Sequence, residues 1–304
     1  MNYSKAIAGI WLASVCLSSC KTADIVSLRK SFPEFYKEGH RGARGLMPEN
    51  TIQSMISAIE NGANVIEMDI FTSKDGKVIV AHDAFINREF SLLPGGFEIP
   101  ASDSKKYILH QMNYSEIREF DVGLKPYNAF SQQKKIAAYI PLLGELVDSV
   151  EKFTSTGKLR PVIYNIELKT AVDFDSTLNS KPGELVDSVL KVVKSKNIDK
   201  RYYIQSFDYR PLQYIHKNYS HIPVGFLTGN AQSLEDNVAK LGFKPQIYSP
   251  HYSLVSAELV EKCKKMKMRI VPWTVNNVDE MRRMKTLGVD GIITDFPNYF
   301  QQLN

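Results

Sequence analysis

A chain of 304 residues exceeds a small module and suits an α/β barrel, which takes about 250 residues. Hydrophobic residues at 43% and charged residues at 23% exclude a disordered chain and leave room for a large core. The net charge of +5 is scattered, not gathered into a basic patch, which argues against a nucleic-acid partner, and three cysteines at 16, 20 and 263 exclude a disulfide framework.

The N-terminus reads as an address. Lys5 precedes an apolar stretch, Ala6 to Leu17, of signal-peptide length and too short to span a bilayer. Leu17-Ser18-Ser19-Cys20 resembles a bacterial lipobox, which implies cleavage before Cys20 and acylation of its thiol. The expectation is a signal peptide over 1–19, a lipidated Cys20 with a tether over 20–35, and a membrane partner in the bacterial cell envelope, periplasmic or outer-membrane. The net charge then falls to +4 with the loss of Lys5. A plain secretory signal or an uncleaved anchor is the alternative.

From residue 36 the pattern alternates strand and helix. Tyr36 to His40 is a short strand and Arg41 to Met47 a glycine-rich loop. Asn50 or Thr51 caps a helix with an apolar stripe at Ile52, Met55, Ile56 and Ile59, which ends at Gly62. A second strand follows over Val65 to Ile70, and Asp75-Gly76 turns the chain into a third over Lys77 to Ala81. Regularity lapses over 84–139, an insertion after the third strand. Its aromatics Phe97, Tyr107, Tyr114, Tyr127 and Phe130 either line a lid or pack a small core of their own. Beyond it, helices are expected at Gly144–Phe153, Gly183–Lys196, Tyr209–Asn218, Ala231–Leu241, Ser256–Lys267 and Val278–Leu287. Strands are expected at Pro161–Leu168, Tyr202–Gln205, Pro223–Leu227, Gln246–Ser249, Arg269–Val275 and Gly291–Thr294. The heptapeptide GELVDSV occurs at 144–150 and 183–189 with no wider repeat around it, so it marks two helices with similar surfaces. The fold class is α/β, a (β/α)8 TIM barrel over 36–304. Nine strands are one more than the barrel needs, and Gln246–Ser249 or Gly291–Thr294 is the expected irregular edge.

The chemistry gathers at the C-terminal ends of these strands, where a parallel barrel builds its sites. Glu67 and Asp69, two apart on a strand, point the same way and repel each other unless a cation lies between them. With Glu167 they offer oxygen ligands and no thiolate, which suits Ca²⁺ or Mg²⁺. His40 and His82 flank the carboxylates as a general acid and base, in either assignment. Arg41 and Lys169 carry the charge to hold a phosphate, and Lys169 shares its strand face with Glu167. Glu49, Asn50 and Gln205 stand behind these, with Asn50 also a cap candidate and Glu49 suited to a helix N-terminus. Trp273 is either an apolar wall or core.

His40-Arg41-Gly42, Pro48-Glu49-Asn50-Thr51, Glu67-Met68-Asp69 and His82-Asp83 together resemble the signature of the glycerophosphodiester phosphodiesterase family. Asn165 to Lys169, Gln205 to Asp208, Val271 to Asn276 and Ile293-Thr294-Asp295 follow in the family's order. The resemblance runs from about Tyr36 to the C-terminus. It implies a barrel of the phospholipase-C-like phosphodiesterase type and a hydrolase that cleaves glycerophosphodiesters to glycerol 3-phosphate and an alcohol. It also implies Glu67, Asp69 and Glu167 as ligands of one divalent ion, Trp273 against the substrate, and attack by the glycerol 2-hydroxyl through a cyclic phosphate, with direct attack by water as the competing path. Two other readings are an enzyme acting on intact lipids, and a binding lipoprotein without turnover.

Overall fold

The computed structural model describes residues 32–303; Cys20 and the signal segment lie outside them. The chain runs β1 (Tyr36–Gly39), α1 (Ile52–Glu60), β2 (Val65–Thr72), β3 (Val78–Val80), α2 (Tyr114–Ile117), α3 (Leu143–Thr156) and β4 (Ile163–Leu168). It continues α4 (Pro182–Ser195), β5 (Tyr202–Ser206), α5 (Tyr209–Asn218), β6 (Val224–Thr228), α6 (Leu234–Leu241) and β7 (Ile247–Pro250). It ends with α7 (Ala257–Lys265), β8 (Arg269–Ile270), α8 (Val278–Leu287) and β9 (Gly291–Thr294).

Eight of these strands are parallel, in the spatial order β8-β7-β6-β5-β4-β2-β1-β9. The barrel closes between β8 and β9 through single backbone bonds: Ile293 N–H donates to Pro272 O at 3.0 Å, and Val275 N–H to Ile293 O at 2.9 Å. The surplus strand is therefore neither Gln246–Ser249 nor Gly291–Thr294, both of which are staves of the barrel. It is β3, which lies antiparallel to β2 with Thr72 opposite Val78 and Ile70 opposite Val80. The Asp75-Gly76 turn, with Gly76 at φ 72°, allows only that reversal, because a turn this short cannot return the chain parallel. The insertion thus follows the third strand of the chain but sits between the second and third staves.

Alternation along each strand divides two cores. Ile66, Met68 and Ile70 of β2 face outward and pack under the helices with Met55, Leu146, Val186 and Leu212, all buried. Val65, Glu67 and Asp69 occupy the alternate, inward positions. Tyr36, Val65, Ile163, Tyr203, Ile247 and Ile293 fill the N-terminal half of the barrel, so it is closed from below and open only at its mouth. On α1, Thr51 accepts from Ser54 N and caps the helix, and the buried face is Ser54, Met55, Ser57, Ala58 and Ile59, not the stripe expected through Ile56. Small residues let α1 approach the loop after β1 closely. An added Cβ on Gly42 would lie 2.5 Å from the Ser54 backbone.

The insertion has its own core, in which Ile99, Leu109, Ile117 and Tyr114 pack on Phe71 and Ile79 of the β2–β3 hairpin. Its aromatics divide between the two expected roles. Tyr107 and Tyr114 belong to that core, Phe97 is exposed, and Tyr127 and Phe130 reach the barrel mouth. Phe71, wholly buried where the hairpin meets the insertion, couples the two. Phe71→Ala is expected to cost about 3–5 kcal/mol, the usual range for truncating a buried aromatic, measured by urea unfolding with circular dichroism.

Candidate active site

Glu67, Asp69 and Glu167 offer carboxylate oxygens all within 4.8 Å of one another at the barrel mouth, and all three are buried. The sheet register explains this: β2 and β4 are neighbours with Asp69 level with Glu167, and β5 places Gln205 beside Glu167. The carboxylates differ in their partners. Asp69 takes Asn50 Nδ2–H at 2.8 Å and pairs with Arg41 Nε at 3.4 Å and Lys169 Nζ at 3.5 Å. Glu167 pairs with Lys169 Nζ at 2.7 Å. Glu67 Oε2 accepts the Arg41 backbone N–H at 2.7 Å, while Glu67 Oε1 and Asp69 Oδ1 are buried with no hydrogen-bond donor.

Buried carboxylate oxygens without donors are costly, and a hard divalent ion satisfies them. The donor set is all oxygen, so Glu67, Asp69 and Glu167 fit such an ion. Burial, then the nearby Asp69 and Glu167 charges, push the Glu67 carboxyl well above its usual range. Burial pushes Asp69 up as well, but Lys169, His82 and Arg41 outweigh it and hold Asp69 low. With no cation between them, the three carboxylates push Glu67 toward its neutral form.

Arg41 is set by its backbone. It adopts a left-handed conformation (φ 49°) and Gly42 follows at φ 80°, which turns the Arg41 N–H toward Glu67. Glu49 accepts Arg41 Nη1–H at 2.7 Å and Arg44 Nε–H at 2.6 Å, so it orients both guanidinium groups instead of serving the helix end. Asn50, also left-handed (φ 57°), accepts Asp69 N–H at 3.2 Å while donating to its carboxylate; the cap is Thr51, and Asn50 is a clamp on Asp69.

His40 and His82 line one cleft of about 320 Å³ with Arg41, Glu167, Lys169 and Trp273. His40 stands where β1 ends. His82 was expected at the end of a barrel stave and instead arrives by reversal: β3 runs back down beside β2, Ala81 N–H donates to Asp69 O at 3.0 Å, and His82 comes level with the carboxylates. Trp273 donates Nε1–H to Ser249 O at 2.9 Å and meets Phe207 edge-on at 5.1 Å, forming the apolar wall of the cleft. Gln205 is buried with Oε1 lacking a donor and lines the same cleft. All eleven residues expected from sequence and described here, Glu49 and Asn50 included, lie at this mouth; Cys20 lies outside the described residues.

Sequence reasoning missed the partners of these groups. Asp295 accepts from His40 Nδ1 at 2.6 Å across 255 positions of sequence, and Asn276 donates to Asp295 at 2.6 Å. Asp83 meets His82 Nδ1 at 3.0 Å and takes Asn87 Nδ2–H at 2.7 Å. Arg44, over the Phe130 ring at 4.7 Å, adds a third cation at the rim. An acid directly after His82 and another ending the last strand were the available signals.

Residues 40–299 match the glycerophosphoryl diester phosphodiesterase family. The chain belongs to that family. It is 30% identical over 258 residues to a glycerophosphodiester phosphodiesterase of Caldanaerobacter subterraneus subsp. tengcongensis, covering 85% of this chain and 93% of that protein. Among solved structures, it is similar to a candidate glycerophosphoryl diester phosphodiesterase from Silicibacter pomeroyi, with TM-score 0.80, 28% identity, and coverage of 92% and 96% of the two chains. A phosphodiesterase from Oleispira antarctica, solved with the product sn-glycerol-3-phosphate, shares the fold at TM-score 0.71 and 20% identity, with coverage of 91% and 98%. As a member of the family this protein is a phosphoric diester hydrolase of the glycerophosphodiester phosphodiesterase class.

The raised Glu67 carboxyl sets a pH dependence. Its folded-state pKa lies above the unfolded value, so the chelated protein holds that stability below about pH 4.5 and loses it as pH rises through the folded pKa. Glu38, buried beneath the site and raised to about 7 by desolvation despite bonds from Asn165 and Tyr203, acts in the same direction. Melting temperature in chelator is expected to fall from pH 5 to pH 8. Millimolar Ca²⁺ or Mg²⁺ should raise it more at pH 8 than at pH 5, by about 2.7 kcal/mol of stability at a hundredfold excess over Kd. Calorimetry across that pH range checks both.

Proposed function

We propose that this enzyme hydrolyses glycerophosphodiesters to glycerol 3-phosphate and an alcohol, with His40 and His82 as general acid and base and one divalent ion, Ca²⁺ or Mg²⁺, held by Glu67, Asp69 and Glu167. The observation that carries this reading is that His40, His82 and Glu167 line one cleft, with the buried Glu67 and Asp69 carboxylates within 4.8 Å of Glu167. When bound, the ion supplies positive charge to the phosphate oxygens as charge develops on them. Arg41 and Lys169 lie at the same cleft and add to that charge, Arg41 through a planar fork that matches two oxygens. Trp273 gives the glycerol or head group an apolar face to rest on.

One imidazole takes the proton of the glycerol 2-hydroxyl as that oxygen bonds to phosphorus. The bond from phosphorus to the head-group oxygen breaks, and the other imidazole gives that oxygen a proton, since an unprotonated alkoxide leaves poorly. The cyclic phosphate is then opened in the reverse sense. The imidazole that gave up its proton takes one from water as it adds to phosphorus, and its partner returns a proton to the 2-oxygen. Both rings end as they began, which is why a matched pair serves a two-step hydrolysis. A substrate lacking the 2-hydroxyl should resist cleavage; its hydrolysis at the parent rate would favour direct attack by water.

The lipobox at Cys20 supports an envelope lipoprotein, tethered by its acyl chains and acting on soluble diesters. No helix among the described residues is long and apolar enough to cross a membrane. In a bacterial host, Cys20→Ala is expected to move the protein from the membrane to the soluble fraction.

The assay is release of glycerol 3-phosphate from several glycerophosphodiesters by the protein from residue 21 onward, with and without chelator. His40→Ala and Glu67→Ala are each expected to lose more than about a hundredfold in rate, the scale for an acid-base group or a metal ligand, and chelator to abolish turnover reversibly. Preferential cleavage of micellar phospholipid over the soluble diester would point to an enzyme of intact lipids.

A further inference from the structure

The two histidines, one following β1 and the other following β3, are held alike. His40 Nδ1 lies 2.6 Å from Asp295 Oδ1, whose Oδ2 accepts Asn276 Nδ2–H at 2.6 Å. His82 Nδ1 lies 3.0 Å from Asp83 Oδ1, whose Oδ2 accepts Asn87 Nδ2–H at 2.7 Å. The first set comes from β1, the end of β9 and the loop after β8, and the second from the end of β3 and the start of the insertion. Two unrelated parts of the chain thus build the same His–Asp–Asn arrangement.

We propose that Asp295 and Asp83 are positioning residues, each fixing the Nδ1–H tautomer and ring orientation of its histidine so that Nε2 is the atom that exchanges protons with the phosphodiester. This rests on the acid–base reading above. A neutral imidazole carries one proton on either nitrogen, and an ionised carboxylate at Nδ1 accepts that N–H and leaves Nε2 free. Once Nε2 takes a proton, the same carboxylate stabilises the imidazolium. Both carboxyls are held in the ionised range. Burial opposes ionisation of each, but His40 and Arg44 at Asp295, and His82 with Asn87 at Asp83, outweigh it.

The two arrangements are unequal. The Asp295 side chain is 4% exposed, and Asn276 is itself fixed, its Oδ1 accepting Asp295 N–H at 2.9 Å and bonded to Thr294 Oγ1 at 3.2 Å. The Asp83 side chain is 25% exposed, and its second oxygen accepts from Asn87. Water can replace part of what Asp83 does and little of what Asp295 does. The two variants should differ accordingly.

The test compares His40→Ala, Asp295→Asn and the double variant, with Asp83→Asn alongside, in glycerophosphodiester turnover at saturating Mg²⁺ or Ca²⁺. Asp295→Asn is expected to lower kcat about 100-fold with KM nearly unchanged, and Asp83→Asn about tenfold, within the range seen when the carboxylate behind a working histidine is removed. The double variant should be no slower than His40→Ala. Nitrogen-15 NMR should report the Nδ1–H tautomer of His40 in the parent protein and its loss in Asp295→Asn, a readout independent of turnover. If Asp295→Asn does not fold by circular dichroism, Asn276→Ala, which keeps the carboxylate, replaces it with an expected tenfold loss in kcat and the same NMR comparison. Parent-like kcat in Asp295→Asn, an added loss in the His40→Ala background, or an unchanged tautomer would overturn the proposal. Retained activity in His40→Ala would instead overturn the acid–base reading.

Discussion

Three carboxylates buried within 4.8 Å of one another are the constraint the rest of this structure answers. At an effective dielectric of about 20, each ionised pair at that distance repels by roughly 3 kcal/mol or more. The protein offsets this locally: Lys169 sits on Asp69 and Glu167, Arg41 turns its backbone N–H to Glu67 and its side chain to Asp69, and Asn50 clamps Asp69 from both ends. The offset is incomplete, since two carboxylate oxygens remain without donors and Glu67 is driven toward its neutral form. A fold under selection for stability alone would replace this cluster with apolar side chains. Its presence at the mouth of an otherwise well-packed barrel fits a place for a cation.

The loop after β1 bears much of that cost. Left-handed Arg41 and Asn50, with Gly42 between them, are unfavourable backbone conformations for side-chain-bearing residues, and each is tied to a carboxylate. Glu49 then orients Arg41 and Arg44 together. One short segment therefore holds the Glu67 and Asp69 carboxylates, directs two guanidinium groups and begins at His40. Its packing against the small-residue face of α1 is what holds the segment rigid.

The insertion is part of the site and not an appendage to it. The β2–β3 hairpin brings His82 to the level of Asp69, and the insertion's core grips the hairpin through Phe71 and Ile79. Farther along, Tyr127 and Phe130 reach Arg44 at the rim, and Lys134 N–H donates to Leu46 O at 2.9 Å. The two histidines of the cleft thus come from different supports, His40 from a stave of the barrel and His82 from the hairpin that the insertion grips.

Much of this was legible in the residue order. Period-two alternation put Glu67 and Asp69 on one face and Ile66 and Met68 on the other, because successive side chains on a strand must point to opposite sides, and the strand–helix rhythm implied the barrel. The residue types at strand ends implied the chemistry. Other features depended on segments remote in sequence. That β3 runs antiparallel, making it the surplus strand, is decided by its pairing with β2, since an apolar run of that length reads the same in either direction. That Thr51 caps the helix while Asn50 clamps Asp69 is decided by where β2 lies. That Asp295 meets His40 across 255 positions follows from barrel closure, which brings the last strand beside the first. Local sequence determined which face each side chain took and what chemistry it offered. Tertiary structure alone decided which of those groups became neighbours, because closing a cylinder sets contacts that no local pattern encodes.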